Sequence, residues 1–228
     1  MQMPFTVEQF LNVFRDYNEA VWPAQWLLIL LAFAAVGFSL RGRAADNRQV
    51  NAILAFLWLW VASAYHFAFF RRATGTAIVF AVLFAVQGVL FAWYAWRPGR
   101  LDYRPRTTTR RALGGGLIAY ALIGYPVLGY VLGHRYPDAP TFGVPCPTTI
   151  FTLGLLLWAG ATVSWRILVI PVVWAIVGLS AAVNLGMAED IGLPIAALLV
   201  IAMSRRSGFS ARPNASSASL EALRGSFQ

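Results

Sequence analysis

The chain has 228 residues, 59% of them apolar and only 12% charged, with a formal net charge of +9. Soluble domains carry about 25% charged residues, so a water-exposed protein of this composition would have to display large greasy patches, whereas a lipid-facing one would not. All 18 basic residues are Arg, which excludes a lysine Schiff base and a retinal pigment; they lie between apolar runs, where topology accounts for them, so nucleic acid is not an expected partner.

Residues 5–21 predict an amphipathic helix. Thr6 and Gln9 have capping-box spacing, and Val7, Phe10, Leu11 and Phe14 recur at i, i+3, i+4 and i+7. Glu8, Asn12, Arg15 and Glu19 fall on the other face. Such a helix should lie in the outer membrane interface with Phe10 and Phe14 toward lipid. A secretory leader is not expected, because the start lacks a basic stretch and the first long apolar run begins only at Trp22.

Seven apolar runs follow, at 22–40, 50–70, 73–96, 112–133, 148–165, 167–187 and 191–203. Most approach the ~20 residues that cross a ~30 Å hydrocarbon core; the fifth is a little short and the seventh markedly so. Pro23, Pro171 and Pro194 fall early in their runs, where a missing N–H matters little. Pro126 sits inside the fourth run and predicts a kink. Fourteen arginines fall on one side of the zigzag, in 41–49, 97–111, at Arg166 and from Arg205 on; four fall on the other, Arg15, Arg71, Arg72 and Arg135. The basic side is the cytoplasmic one. The expected fold is therefore an all-α polytopic membrane helix bundle of seven transmembrane helices, N-terminus out and C-terminus in. Residues 1–203 make one transmembrane domain, and 204–228, rich in Ser, Ala and Arg, a disordered cytoplasmic tail. Asn214-Ala215-Ser216 in that tail matches a glycosylation triplet by chance. No internal repeat of the inverted-transporter kind is evident.

Four stretches stand out as motifs: Pro4-Phe5-Thr6-Val7-Glu8-Gln9-Phe10; Tyr17-Asn18-Glu19-Ala20-Val21-Trp22-Pro23; Tyr65-His66 before Phe69-Phe70; and Phe142-Gly143-Val144-Pro145-Cys146-Pro147-Thr148-Thr149-Ile150-Phe151-Thr152. With these the chain, over roughly residues 4 to 203, resembles an uncharacterised family of short bacterial multi-pass membrane proteins known only as a domain of unknown function. The resemblance implies a bacterial plasma (inner) membrane, and some members look to have been labelled permease-like. It implies no residue roles.

Mid-span polarity reduces to Gln87, with Ser63 and Thr162 as minor contributors; no Asp, Glu or Lys lies mid-span. An interhelical hydrogen bond is the expected use of Gln87, and a coupled carrier would need more. Topology puts His66, His134 and Cys146 at similar depth on the outer side, with Glu19, Tyr65, Tyr125, Asp138, Glu189 and Asp190 as further polar candidates there. Imidazole, thiolate and carboxylate suit zinc or copper, and two histidines at one depth are the minimum for a b-type haem. No CxxC, HxxxH or Met-rich cluster adds to this. The plainer assignment is a His66 bonded to a neighbouring helix, His134 at the interface and Cys146 as a small buried hydrophobe. Gly124, Gly129 and Gly133 could make room for a cofactor or simply let helices pack closely.

On the other side, Arg97, Arg100, Arg104, Arg106, Arg110 and Arg111 surround Tyr103. Attraction to anionic lipid headgroups there is on the order of 1 kcal/mol per residue. Trp22, Trp26, Trp93, Trp96 and Trp165 near run ends form interfacial belts. The expected activity is permease-like handling of a small solute or metal ion at the outer face. Its rivals are a membrane redox protein with haem or quinone, and a non-catalytic subunit of a membrane complex; an enzyme is not favoured.

Overall fold

The computed structural model describes residues 5–97, 99–159 and 163–210. Over these the protein is helical throughout: α1 (Val7–Val21), α2 (Ala24–Arg41), α3 (Asp46–Trp60), α4 (Ala77–Ala95), α5 (Thr108–Ala119), α6 (Tyr125–Val131), α7 (Pro145–Ala159), α8 (Trp165–Leu185) and α9 (Gly192–Ser210). Helix α3 runs on as a π-helix, Val61–Phe69, and a 3-10 turn, Phe70–Arg72; a second π-helical turn, Tyr120–Gly124, joins α5 to α6. Five of these segments are long and apolar enough to cross a membrane: Ala24–Arg41, Asp46–Arg72, Ala77–Ala95, Thr108–Val131 and Trp165–Leu185. Trp26, Leu30 and Phe33 on α2, Val79, Val82, Val86 and Val89 on α4, and Ile176 and Val183 on α8 are exposed. Apolar surface on that scale suits lipid rather than water.

The helices run up and down between two polar ends. One end holds α1, the turn at 73–76, the loop at 132–144 and a 3-10 turn, Ala188–Ile191. The other holds the connections rich in arginine.

The fifth run differs most from expectation. Its helix is Pro145–Ala159, 15 residues, or ~22 Å at 1.5 Å per residue, rather than 148–165. Every residue of α7 but Cys146 is buried, and α3, α5, α8 and α9 all pack on it. A helix apolar all round belongs inside, and being walled off from lipid it need not match the bilayer's thickness. Gly114 and Gly154 set the α5–α7 approach: a methyl group on Gly154 would come within 2.9 Å of the Gly114 carbonyl oxygen. Trp58 Nε1 donates to Thr152 Oγ1 at 3.0 Å, tying α3 to the same core.

The seventh run is longer than its apolar stretch suggests. Helix α9 continues past Met203 through Arg205 and Arg206 to Ser210, so residues 204–210 are helical; the rest of the expected tail, 211–228, lies outside the described residues. Apolar content ends before the helix does, because Ser and Arg do not stop a helix that is already propagating.

Two prolines are accommodated differently. Pro171 is well inside α8, not at its start. An N–H at 171 would have bonded the Ile167 carbonyl; Gln87 Nε2 from α4 donates to that oxygen instead, at 3.1 Å. The interhelical bond expected of Gln87 thus repairs a defect in its neighbour. Pro126 follows the π-helical turn, in which the Tyr125 N–H reaches back to the Tyr120 carbonyl, a wider i→i+5 turn.

Helix α1 forms as its sequence predicts, with both bonds of the capping box between Thr6 and Gln9. Its apolar face, however, meets protein and not lipid. Phe10, Phe14 and Tyr17 are buried, with Phe14 stacked on Tyr65 (ring centroids 5.7 Å) and Phe10 edge-on to Phe70 (6.0 Å). The π-helical end of α3 offers an aromatic surface that matches the stripe, and this outcompetes lipid.

Candidate functional site

Helix α1 is bound to the 132–144 loop through residues of two of the motifs. Tyr17 donates its hydroxyl to the Gly143 carbonyl at 3.2 Å. Asn18 Nδ2 donates to the carbonyls of Pro137 (2.6 Å) and Ala139 (2.8 Å), and Asn18 Oδ1 accepts from Thr141 (2.8 Å). Gly143 has φ +101°, and a side chain there would collide with Leu28, so glycine is required on both counts. On the surface, Arg15 pairs with Asp138 at 2.8 Å, and the bond it donates to that carboxylate raises the Arg15 pKa.

Beneath α1 lies a cavity of about 290 Å³. Its walls are aromatic, with Phe10 and Phe14 from α1, Tyr65 and Phe70 from the end of α3, Phe80 from α4 and Trp174 from α8. Thr74, Thr76 and Ser180 border it toward the α1 end, and Tyr125, Cys146 and Asp190 form its polar side. The Tyr125 hydroxyl donates to Asp190 Oδ1 at 2.6 Å, and the Cys146 thiol also bonds to that carboxyl. Asp190 is 2% exposed. Burial pushes its carboxyl up to about 7, against the hydrogen bonds from Tyr125 and Cys146, while the nearby Glu189 charge adds to the rise.

Glu189, next in the chain, turns the opposite way. Its side chain is fully buried and Oε1 meets His134 Nδ1 at 2.8 Å, while Oε2 has no partner among the described residues. The Tyr120 hydroxyl donates to the Glu189 carbonyl at 2.6 Å. His134 and Tyr125 line a second, smaller cavity of about 260 Å³ with Pro126, Gly129 and Tyr136. Asp190 thus borders the larger cavity, Glu189 holds the His134 that borders the smaller one, and Tyr125 is on the wall of both.

The candidates read from sequence sort themselves on this frame. Tyr65, Tyr125, Cys146 and Asp190 meet at the larger cavity; His134 and Glu189 pair beside it; Asp138 serves the surface pair; Glu19 is exposed. His66 does not join them. It is fully buried, with the rings of Tyr65, Phe70, Phe80, Phe84 and Trp174 within 4.8–6.0 Å of its own. Neither ring nitrogen has a hydrogen-bond partner among the described residues, so the expected bond to a neighbouring helix is replaced by ring contacts. Among the described residues no three His, Cys, Asp or Glu side chains are placed to hold a metal ion. The single zinc or copper site of His66, His134 and Cys146 is thus not assembled, because the aromatic enclosure isolates His66. His66 also lines neither of the cavities that His134 borders, so the two histidines do not share a pocket for paired haem ligation.

A sequence model of one family matches residues 7–215, from α1 through α9. The chain belongs to this family of unknown function, DUF6064. No curated protein and no solved structure matches the chain. All but the first few of the motif residues lie within the matched span, and the Tyr17–Gly143 bond joins two of those motifs.

Trp174, Phe80 and Tyr120 are not legible in the sequence as site residues. A Trp at mid-run, far from either interfacial belt, is the one signal that points to Trp174.

At the arginine end, one predicted headgroup ligand has another task. Arg110 is buried and donates to the carbonyls of Leu157 (3.2 Å) and Met203 (3.0 Å). This corrects its assignment to lipid: it binds α7 and α9 to α5. Arg106 and Arg104 flank Asp102 at 2.7 and 3.5 Å, and Arg97 lies over Trp93. Tyr103, at the centre, is buried and donates to Asn51 at 2.8 Å.

Proposed function

We propose that the protein is a permease-like, multi-pass component of the bacterial plasma membrane that binds a small solute in the larger cavity, at the outer face. One observation carries the reading: an aromatic cavity ending on a buried carboxylate. Small-molecule sites combine apolar walls with a few placed polar groups, and a buried carboxylate costs several kcal/mol unless it is used or well paired. Seven crossings, with α1 outside and the arginine end in the cytoplasm, follow from the arginine count of fourteen to four. On this reading α7 crosses inside a protein sheath, and Arg43, Arg48, Arg97, Arg100 and Arg111 face anionic lipid.

Cys146, the sole cysteine, supplies the test. In whole cells, a small membrane-impermeant thiol reagent should label it from outside, and the bulkier Val177→Trp, which fills the cavity wall, should slow that labelling. Labelling from the cytoplasmic side alone would overturn the orientation. Labelling that Val177→Trp leaves unchanged would overturn the cavity as the route.

A further inference from the structure

We infer that the solute is an organic cation, an ammonium group on a compact apolar body, held by Asp190 and the surrounding aromatic rings. The inference rests on the binding role proposed above and names the ligand class of the same cavity. Eight aromatic residues line it, among them Phe10, Phe14, Tyr65, Phe70, Phe80 and Trp174, and Asp190 is the only charged group among the described residues of its walls. Ring faces are negative and attract a cation most strongly where water is excluded. An anion would meet the Asp190 carboxylate with no Arg or His among those walls to offset it. A neutral apolar solute would leave that carboxyl without a use. A metal ion would need several oxygen, nitrogen or sulfur ligands, and no such group is assembled among the described residues. An ammonium uses both features at once. At about 290 Å³ the cavity is near the small end of the ~300–1,000 Å³ typical of ligand sites, so the body is compact.

Protonation of Asp190 sets the pH dependence. The titratable groups around it are Tyr65 from α3, Tyr120 and Tyr125 from the α5–α6 segment, Cys146 from α7, and its neighbour Glu189, which faces His134. With burial holding the carboxyl near 7, much of it is protonated below neutrality. A cation whose own charge does not titrate should therefore bind more tightly as pH rises from 5.5 to 7.5, displacing the proton.

Benzyltrimethylammonium and its neutral isostere neopentylbenzene, titrated calorimetrically into the full chain in lipid nanodiscs, test the inference. The cation should bind at least ten-fold more tightly than the isostere, tightening further toward pH 7.5. Asp190→Asn should abolish both the preference and the pH dependence while leaving the isostere's binding unchanged. Should that variant fail to fold, Phe80→Leu provides the second arm and should weaken the cation several-fold more than the isostere. Equal binding of the two probes, unaffected by either substitution, would overturn the cation class and leave the binding role intact. No binding of either probe, together with Cys146 labelling that Val177→Trp does not slow, would overturn both.

Discussion

The two polar ends of the bundle each bury charged groups, and they treat them in opposite ways. At the arginine end, Arg110 gives two hydrogen bonds to carbonyls of α7 and α9, and Tyr103 is bonded through both its N–H and its hydroxyl, to Asn47 and Asn51. Buried polarity there joins elements that would otherwise meet only through apolar contacts. At the α1 end, Asp190 borders a cavity, and Glu189 keeps one oxygen without a partner among the described residues. Polar groups whose bonds join elements fix a structure; a carboxyl that borders open space, as Asp190 does, can also meet a group that arrives.

The sharpest way to break that contrast is to remove Arg110. Arg110→Met leaves the Leu157 and Met203 carbonyls without their charged donor, and stability should fall by about 3 kcal/mol, read as a lower melting temperature in detergent. If thermal stability were unchanged, the arginine end would not be the structural one. Asp190 should behave in the reverse sense. Its folded pKa, about 7, lies above the ~3.9 of an unfolded Asp, so the folded state binds the proton more tightly. This contribution to stability is complete below pH ~4 and is lost as pH rises through 7, on the order of 1.4 kcal/mol for every pH unit between the unfolded and folded values. Asp190→Asn should remove that slope between pH 4 and 7, and a melting profile as steep as the parent's would assign the slope elsewhere.

Two smaller effects probe the packing between the ends. Gly154→Ala should cost about 2 kcal/mol through overpacking against the Gly114 carbonyl, and a stabilised variant would mean that α5 and α7 can separate. Gln87→Leu should cost about 1 kcal/mol by stranding the Ile167 carbonyl. Pro171→Ala supplies the backbone N–H that the helix lacks there, so the double variant should recover most of that loss. Strict additivity of the two changes would show that Gln87 and Pro171 are not coupled.

Hydropathy locates every long helix, and the Thr6–Gln9 spacing locates the start of α1, because these signals are local. What stays hidden depends on partners. The burial of α7 cannot be read from its run, since an apolar helix looks alike whether lipid or protein surrounds it. The stripe of α1 likewise does not say what it faces. Glu189 and Asp190 lie between two runs and so read as loop acids, yet the Ala188–Ile191 turn carries both inward. His66, His134 and Cys146 share a depth, but depth alone leaves the angle around the bundle free, and the rings about His66 occupy the direction a shared metal would need.

The bonds that hold α1 have a consequence for how the protein is made. Tyr17 meets Gly143, and Asn18 meets Pro137 and Ala139, across sequence separations of 126, 119 and 121 residues. Helix α1 thus leaves the ribosome well before the loop that holds it. Until the chain has been synthesised past Gly143, the Tyr17 hydroxyl lacks its acceptor and the Asn18 side chain its loop partners, and the aromatic stripe of α1 can wait at the membrane surface as an amphipathic helix does. At a synthesis rate of ~5–20 residues per second, that interval lasts roughly 6–25 seconds, during which a segment destined for the protein's interior behaves as a peripheral one.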